Sequence, residues 1–382
     1  SAGAAVTTGI ENTLLGGEAG DALTDADANV AVGKGALGSD TLGSQSTALG
    51  TGALSSQNFT TATNSLNTAV GYVAGSSITT GTNNTLIGAD TGDALTDGIK
   101  NVAVGQNALG ADTQGDNSVA IGCNALQAQN GVNGNVYNVG VGANAGFSVT
   151  TGTSNTFVGA LAGDATDDGT QNVAVGFSAL SANCGNANTA VGPEALFATT
   201  GANNTAIGKD AGVNNTSGST NIFIGYQSGI TGSPGGNQTT GNGGIFLGDD
   251  SISDAYIQVD WTIASDERDK TDFADLDLGL DFVKALEPVT YYWDKRSKYG
   301  DKHADDYDLN AQTPDGTHKE DWMDVGFKAQ SVQALEEAAG YKLSDKKNLT
   351  VSSVEDGKQL GLQYSKFVPI LVKAIQDQDA II

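Results

Sequence analysis

Asn117-Ser118-Val119-Ala120-Ile121-Gly122 is one copy of a unit that recurs through the first two-thirds of this chain. The unit reads Asn-Thr-Ala-Val-Gly-x-x-Ala-Leu/Gly. Its central glycines are Gly16, Gly33, Gly50, Gly71, Gly88, Gly105, Gly122, Gly142, Gly159, Gly176, Gly192, Gly208, Gly225 and Gly248. They stand most often 17 residues apart, otherwise 16, 20, 21 or 23. A longer period lies on top: similar blocks begin at Asn12, Asn84 and Asn155, offset by 72 and 71 residues, four units each. A fixed period of this length is the mark of stacked repeats, in which one unit cannot bury its own apolar face.

The columns of the repeat carry the fold. The residue before each central glycine is Val, Ile or Leu, and the residue three before it is Thr, Val or Ile. These types favour strands. Between them stands Ala in most units, with Leu14, Leu86, Phe157, Phe223 and Phe246 among the exceptions. Neighbouring strand residues point to opposite faces, so the strand should be covered on both sides. One face can fill a coil. The other needs a partner, and the small alanines suit close approach at a symmetry axis. Asn recurs four residues before the glycine, as at Asn67, Asn101 and Asn204, where stacked side chains can pair from coil to coil. Seventeen residues suit two short strands and two turns. Fourteen such coils at the spacing of a sheet make a rod on the order of 65 Å long.

Composition divides the chain at residue 264. Residues 1–264 hold 3 of the 18 basic side chains (Lys34, Lys100, Lys209), 20 of the 44 acidic ones and 46 of the 53 glycines. The two parts carry net charges of −17 and −9, which argues against nucleic-acid partners. Residues 265–382 hold 12 of the 24 aromatics, enough for a conventional core. The expected domains are a solenoid rod over 1–229, a Gly-rich loop with transition strands over 230–264, and an α+β domain over 265–382. No apolar run reaches the ~18 residues of a membrane span. The chain begins with Ser1 and shows no signal peptide, so it reads as a processed piece of something longer. Cys123 and Cys184 fit no metal spacing and fall at different positions of the repeat; plain thiols are expected. The acidic corners Asp21/Asp25, Asp93/Asp97 and Asp164/Asp167/Asp168 lack a calcium-loop motif and read as solvated turn carboxylates. No metal or cofactor is expected.

Beyond the repeat, Ala255–Trp261 alternates like a strand and leads into Ala264-Ser265-Asp266-Glu267-Arg268-Asp269-Lys270. Helical spacing then joins Leu276, Leu280, Val283, Lys284 and Leu286, closed by Pro288. Val289–Trp293 and Val325–Ala329 read as strands with a long polar loop between them. Ser331–Ala339 reads as a helix, and Leu349–Tyr364 as a hairpin around Glu355-Asp356-Gly357. A last helix runs from about Ser365, with Phe367, Leu371, Ala374, Ile375, Gln378 and Ile382 near one stripe, a spacing suited to a three-stranded bundle. By residue type alone, Ser265–Lys270 also reads as surface charges on a strand-to-helix turn.

Two resemblances bear on these residues. Asn117–Gly122 resembles the head repeats of trimeric autotransporter adhesins, which implies a trimer of left-handed parallel β-rolls. Four motifs of the second part resemble the C-terminal intramolecular chaperone, or self-cleaving endopeptidase domain, of phage tail fibres, tail spikes and endosialidases. They are Ser265-Asp266-x-Arg268-x-Lys270, Leu286 to Trp293, Gly326-Phe327-Lys328-Ala329-Gln330, and Tyr364 to Leu371. Asp269 and Ser331 depart from the usual pattern. The repeat and the two resemblances together imply a mostly β trimeric parallel β-solenoid followed by an α+β chaperone domain that ends in a helix of a trimeric bundle. It also implies cleavage between Ala264 and Ser265, with Ser265 as nucleophile, Lys270 as its base, and Asp266 and Arg268 in support. A lysine can act as base only when burial lowers its pKa from about 10.4. The protein implied is a homotrimeric phage tail fibre of the virion. It would bind a host surface receptor, a glycan or an outer-membrane component, and join other tail proteins, without inserting into the membrane. Its chaperone domain would be released if cut. A bacterial trimeric surface adhesin and a polysaccharide-degrading tail spike are the alternatives.

Overall fold

The computed structural model describes residues 1–130, 132–258, 261–302, 304 and 306–381. By contacts it divides into two compact units, Ser1–Ile230 with Thr239–Leu247, and Thr231–Gln238 with Gly248–Ile382.

The first unit is a parallel β-solenoid. Fourteen three-residue strands, from Thr13–Leu15 to Ile245–Leu247, form one sheet in chain order. The repeat keeps them in register: Val102, Ala103 and Val104 pair with Val119, Ala120 and Ile121. The second side of the coil does not form the regular strand expected. Among the described residues only two short pairs appear there, Gly43–Ser44 with Thr63–Asn64 and Gly115–Asp116 with Gly134–Asn135. Elsewhere single backbone bonds join the coils, as from Thr79 N to Thr96 O (2.8 Å) and Thr96 N to Thr113 O (2.8 Å).

The alanine column faces the inside of the coil, not a symmetry axis. Ala31, Ala48, Ala103, Ala120, Ala174 and Ala190 are fully buried, while the residues flanking them are half-buried or exposed. A three-residue strand has one residue on one face and two on the other. The coil is so narrow that the single inward position must usually be small.

This narrowness explains the Leu/Gly alternation. Four residues after the central glycine the backbone is left-handed, at Leu109 (φ 56) and Leu126 (φ 48) for example. That conformation costs a non-glycine residue roughly 1–2 kcal/mol. Burying the leucine gains about 1.5–3 kcal/mol, so burial wins or breaks even. Wherever Leu stands there the strand offers Ala: Leu37, Leu54, Leu109, Leu126, Leu180 and Leu196 are all fully buried. Every fourth coil reverses the arrangement. Leu86, Phe157 and Phe223 point inward from the strand, and glycine takes the other column in the same coil and the one before. A Cβ on Gly75 would lie 2.7 Å from Leu86 Cδ1, and one on Gly146 2.9 Å from Phe157 Cδ2. A Cβ on Gly163 would lie 2.5 Å from Phe157 Cε1, and one on Gly212 2.7 Å from Phe223 Cδ2. The 72-residue period is therefore a packing period.

A ladder of asparagines closes the corner. Asn101 N donates to Asn84 Oδ1 (3.0 Å), and Asn101 Nδ2 donates to Gly115 O (2.7 Å). The pattern recurs at Asn29, Asn67, Asn84, Asn138, Asn155, Asn188, Asn204 and Asn221. Where Ser46 and Ser118 interrupt it, Gln57 and Gln129 step in. Gln129 Nε2 donates to Asp112 Oδ2 (2.6 Å) and Ser118 Oγ (2.9 Å), and its Oε1 accepts from Asn138 Nδ2 (3.0 Å).

The second unit has three helices, α1 (Leu280–Ala285), α2 (Ala329–Ala338) and α3 (Phe367–Asp379). Two antiparallel pairs accompany them, Val289–Tyr291 with Asp324–Gly326 and Val351–Ser353 with Leu360–Leu362. The core gathers Leu278, Phe282, Val332, Val351, Phe367 and Ile370. Buried Glu336 accepts from Thr350 N (2.7 Å) and Thr350 Oγ1 (2.5 Å), which fixes the entry to the second pair. Helix α1 is shorter than its apolar spacing suggested. Its N-terminus is set by Asp377 of α3, which accepts from Leu280 N (3.1 Å) over Gly279, where a Cβ would collide with that carboxylate.

Two expectations fail here. No strand forms at 255–258 or at Trp261; Val259 and Asp260 lie outside the described residues. The buried face of α3 is Phe367, Ile370 and Ala374, whereas Leu371 is 45% and Ile375 67% exposed. Those two form a second apolar face with the exposed Val368 and Val372. Ile382, also expected in the stripe, lies outside the described residues.

The packing period makes a double substitution informative. Phe157→Ala should destabilise the solenoid by about 3–5 kcal/mol per chain. Adding Gly163→Leu reproduces the Ala/Leu pairing of neighbouring coils and should recover part of that loss in urea denaturation. If the double variant is weaker than the single one, the two columns do not share one space.

Candidate functional site

Ala264 and Ser265 lie in an exposed stretch; every described residue from Trp261 to Asp275 is exposed. The chain turns immediately after them. Asp266 caps a 3-10 turn over Glu267–Asp269, its Oδ1 accepting from Arg268 N (2.9 Å). The Arg268 guanidinium returns to the same carboxylate, Nε to Oδ1 at 3.0 Å and Nη2 to Oδ2 at 2.6 Å. These bonds hold the Asp266 carboxyl below its usual range. Lys270 N then donates to Glu267 O (3.1 Å), which directs the Lys270 side chain back along the turn.

The turn brings the two expected chemical partners together. Lys270 Nζ lies 2.6 Å from Ser265 Oγ and 3.1 Å from Ser265 O. Asp266 and Arg268 are paired with each other, so the arginine fork is occupied and the aspartate acts as the turn's cap. No ion pair joins Asp269 to Lys270 among the described residues. The geometry of a hydroxyl on an amine is thus present in one chain, in a position open to water.

Three of the four motifs meet at one groove of about 560 Å³. Val289, Tyr291 and Trp293 line one side, Phe327 and Tyr364 the other. Tyr364 Oη accepts from Phe327 N (3.3 Å), and the rings of Phe327, Tyr364 and Phe367 form a three-way cluster. Asp324, which no motif singles out, accepts from both Tyr291 Oη (3.2 Å) and Trp293 Nε1 (3.3 Å). Burial and the Asp324 charge push the Tyr291 phenol up to about 12.

At the acidic corners, as elsewhere among the described residues, no group of three or more His, Cys, Asp or Glu comes together. Asp25 and Asp167 instead accept from Thr8 and Thr150 of the preceding coil. Cys123 is exposed and Cys184 buried, both as free thiols. Burial pushes the Cys184 thiol up.

Residues 265–341 match the family model described as chaperone of endosialidase. The match begins on Ser265, the first residue of the Ser–Lys turn, and spans α1, α2 and the sheet pair between them. No curated protein and no solved structure matches the chain. A chaperone-type segment behind a β-solenoid fits a tail fibre or tail spike with a C-terminal intramolecular chaperone domain.

The raised Tyr291 phenol has a measurable consequence. The stability it contributes is fully present below about pH 10 and is lost as the pH rises through about 12. Ultraviolet titration should find Tyr291 among the late tyrosines, and Asp324→Asn should bring it part of the way back. Titration of that tyrosine together with the exposed ones would contradict the arrangement.

Proposed function

We propose that this chain is the receptor-binding fibre of a phage tail, assembled as a parallel homotrimer by residues 265–382 and cut by itself between Ala264 and Ser265. The observation that carries the cleavage reading is the 2.6 Å contact of Lys270 Nζ with Ser265 Oγ at the first residue of the chaperone match. In the reaction the hydroxyl oxygen attacks the Ala264 carbonyl carbon while the Lys270 amine takes the hydroxyl proton. The C–N bond breaks, the proton passes to the departing Ser265 nitrogen, and an ester is left. Water then opens the ester, leaving an Ala264 carboxylate and restoring the serine hydroxyl.

An amine in water is protonated and cannot start this sequence. The pair therefore needs cover, and its surroundings support a source. Tyr256, Trp261, Ile263 and Phe273 flank the turn, and all are exposed in one chain. Neighbouring chains laid over these side chains would exclude water from Lys270 and favour its neutral form. Cutting would then wait for assembly.

The rod supports the same oligomer. The strand residues flanking the inward column form an apolar ladder on the outside of the coil, including Leu15, Leu49, Ile87, Ile121, Ile207 and Ile224. A continuous apolar stripe of this length is what chain-to-chain contact removes from water. The exposed face of α3 would join a central bundle in the same way. Long parallel β-structure closes non-local contacts slowly, and a domain that brings three chains together first raises their effective concentration. Receptor contact is assigned to the corner loops of the rod, the most variable part of the repeat. Residues 265–382 serve assembly, and the site of action is the virion.

Denaturing electrophoresis tests the cut: two fragments for the native sequence, one band for Ser265→Ala and for Lys270→Ala. A full-length band from folded native chain after long incubation would overturn the protease reading. The trimer is tested separately. Val104→Asp with Ile121→Asp leaves both carboxylates wet in one chain but buries them in an assembly, at a cost of several kcal/mol per chain. Sedimentation should show loss of the soluble trimer. Unchanged sedimentation, or a folded native monomer, would show that the ladder is not the interface.

A further inference from the structure

We infer that the C-terminal domain stays bound to the N-terminal product after the cut, through three of its lysines closed over the Asp249-Asp250 doublet. This rests on the cleavage reading above for its timing, and on geometry for the binding. The compact unit that contains residues 265–382 also contains Thr231–Gln238 and Gly248–Ala264. Both segments lie before the scissile bond and remain with the rod product when that bond breaks.

The contacts are built, not incidental. The side chains of Asp249 and Asp250 are only 7% and 3% exposed. Lys298 Nζ and Lys302 Nζ each lie 3.4 Å from Asp250 Oδ1, and Lys302 Nζ lies 3.9 Å from Asp249 Oδ2. Lys295 Nζ donates to the Asp250 carbonyl (3.0 Å) and pairs with Glu320 (3.2 Å), which ties the segment's backbone to the far side of the loop. A second contact is steric. Gly232 sits against Ser297 so closely that a Cβ would collide with it, and a Cβ on Gly236 would lie 2.8 Å from Val354 Cβ. Both glycines have positive φ, 88 and 72. In an acidic chain with 18 basic residues, three lysines within eight residues close on one doublet, two on its carboxylates and one on its backbone. Buried pairs of this kind are screened by salt much less than surface ones.

The consequence is that cutting need not discard the domain. Covalent continuity ends at Ala264, while the lysine cluster and the glycine-lined contacts persist. Release then requires disruption of the cluster, not hydrolysis alone. The released chaperone expected from the family resemblance becomes a retained one.

Size exclusion of the cut protein under native conditions tests this, with denaturing electrophoresis of the same fractions to show that the bond is broken. If the chain does not cut itself, a site-specific protease sequence placed between Ala264 and Ser265 supplies the cut. Failure of the cleavage reading and failure of retention are then separate results. Residues 265–382 should co-elute with 1–264 at ~0.15 M salt. Lys298→Glu with Lys302→Glu should weaken retention on the order of a hundredfold, and adding Asp249→Lys with Asp250→Lys should restore it. Should the lysine variant not fold, Asp249→Asn with Asp250→Asn removes the same pairs from the other side. Free elution of the native fragment as soon as it is cut would overturn the inference, as would equal retention by the charge variants.

Discussion

Backbone hydrogen bonds of a parallel sheet stack the coils about 4.8 Å apart, and residues 1–247 are adapted to that spacing. At the central glycines the next coil leaves no room for a side chain: a Cβ on Gly105 would lie 2.5 Å from Gly122 O, and φ there is 132. A side chain would therefore meet both a collision and a strained backbone. The asparagine ladder depends on the same spacing. One amide reaches the N–H of the following coil through its oxygen and a carbonyl through its nitrogen, as at Asn84, so buried backbone groups at the corner are paired without a second regular strand. The cross-section is then set, and with it the rule that the middle of the strand and the position four after the central glycine share room for at most one large side chain.

That rule connects the rod to its proposed assembly. A coil that fills its own interior with Ala and Leu has no inward room for the flanking Val, Ile and Leu of the strand. They face outward, fourteen rungs in succession. The outward apolar stripe is thus produced by the narrowness that makes the coil regular. The C-terminal unit shows the same division within a helix: α3 gives Phe367, Ile370 and Ala374 to its own core and keeps Val368, Leu371, Val372 and Ile375 on the outside.

At the junction a hydroxyl and an amine are brought together by local bonds alone. A six-residue turn is enough to place Lys270 on Ser265, because Asp266 caps it and Arg268 locks the cap. Such a turn cannot exclude water. Segments distant along the chain, 231–238 and 248–250, are instead held by Ser297, Val354 and the lysines of 295–302. The Ala264–Ser265 bond is thus open to solvent, while the contacts of 231–238 and 248–250 are buried.

The sequence by itself determined the parallel solenoid, its seventeen-residue coil and the order of elements after Ser265. Each of these rests on short-range pattern: strand-forming types at fixed offsets, a glycine that admits no substitute, and the apolar spacing of each helix and strand. Only the tertiary structure decided which way the alanines face, since a column that is apolar on both sides has no polarity to orient it. The same holds for the Leu/Gly alternation, which becomes legible only when Phe157 is seen filling the space above Gly163 and Gly146. The face of α3 that is buried, the absence of a strand at 255–258, the Asp324 partner of Tyr291 and the lysines over Asp250 also required it. Those depend on contacts between residues 30 to 100 positions apart, and no local period records which distant side chain will close over a given one.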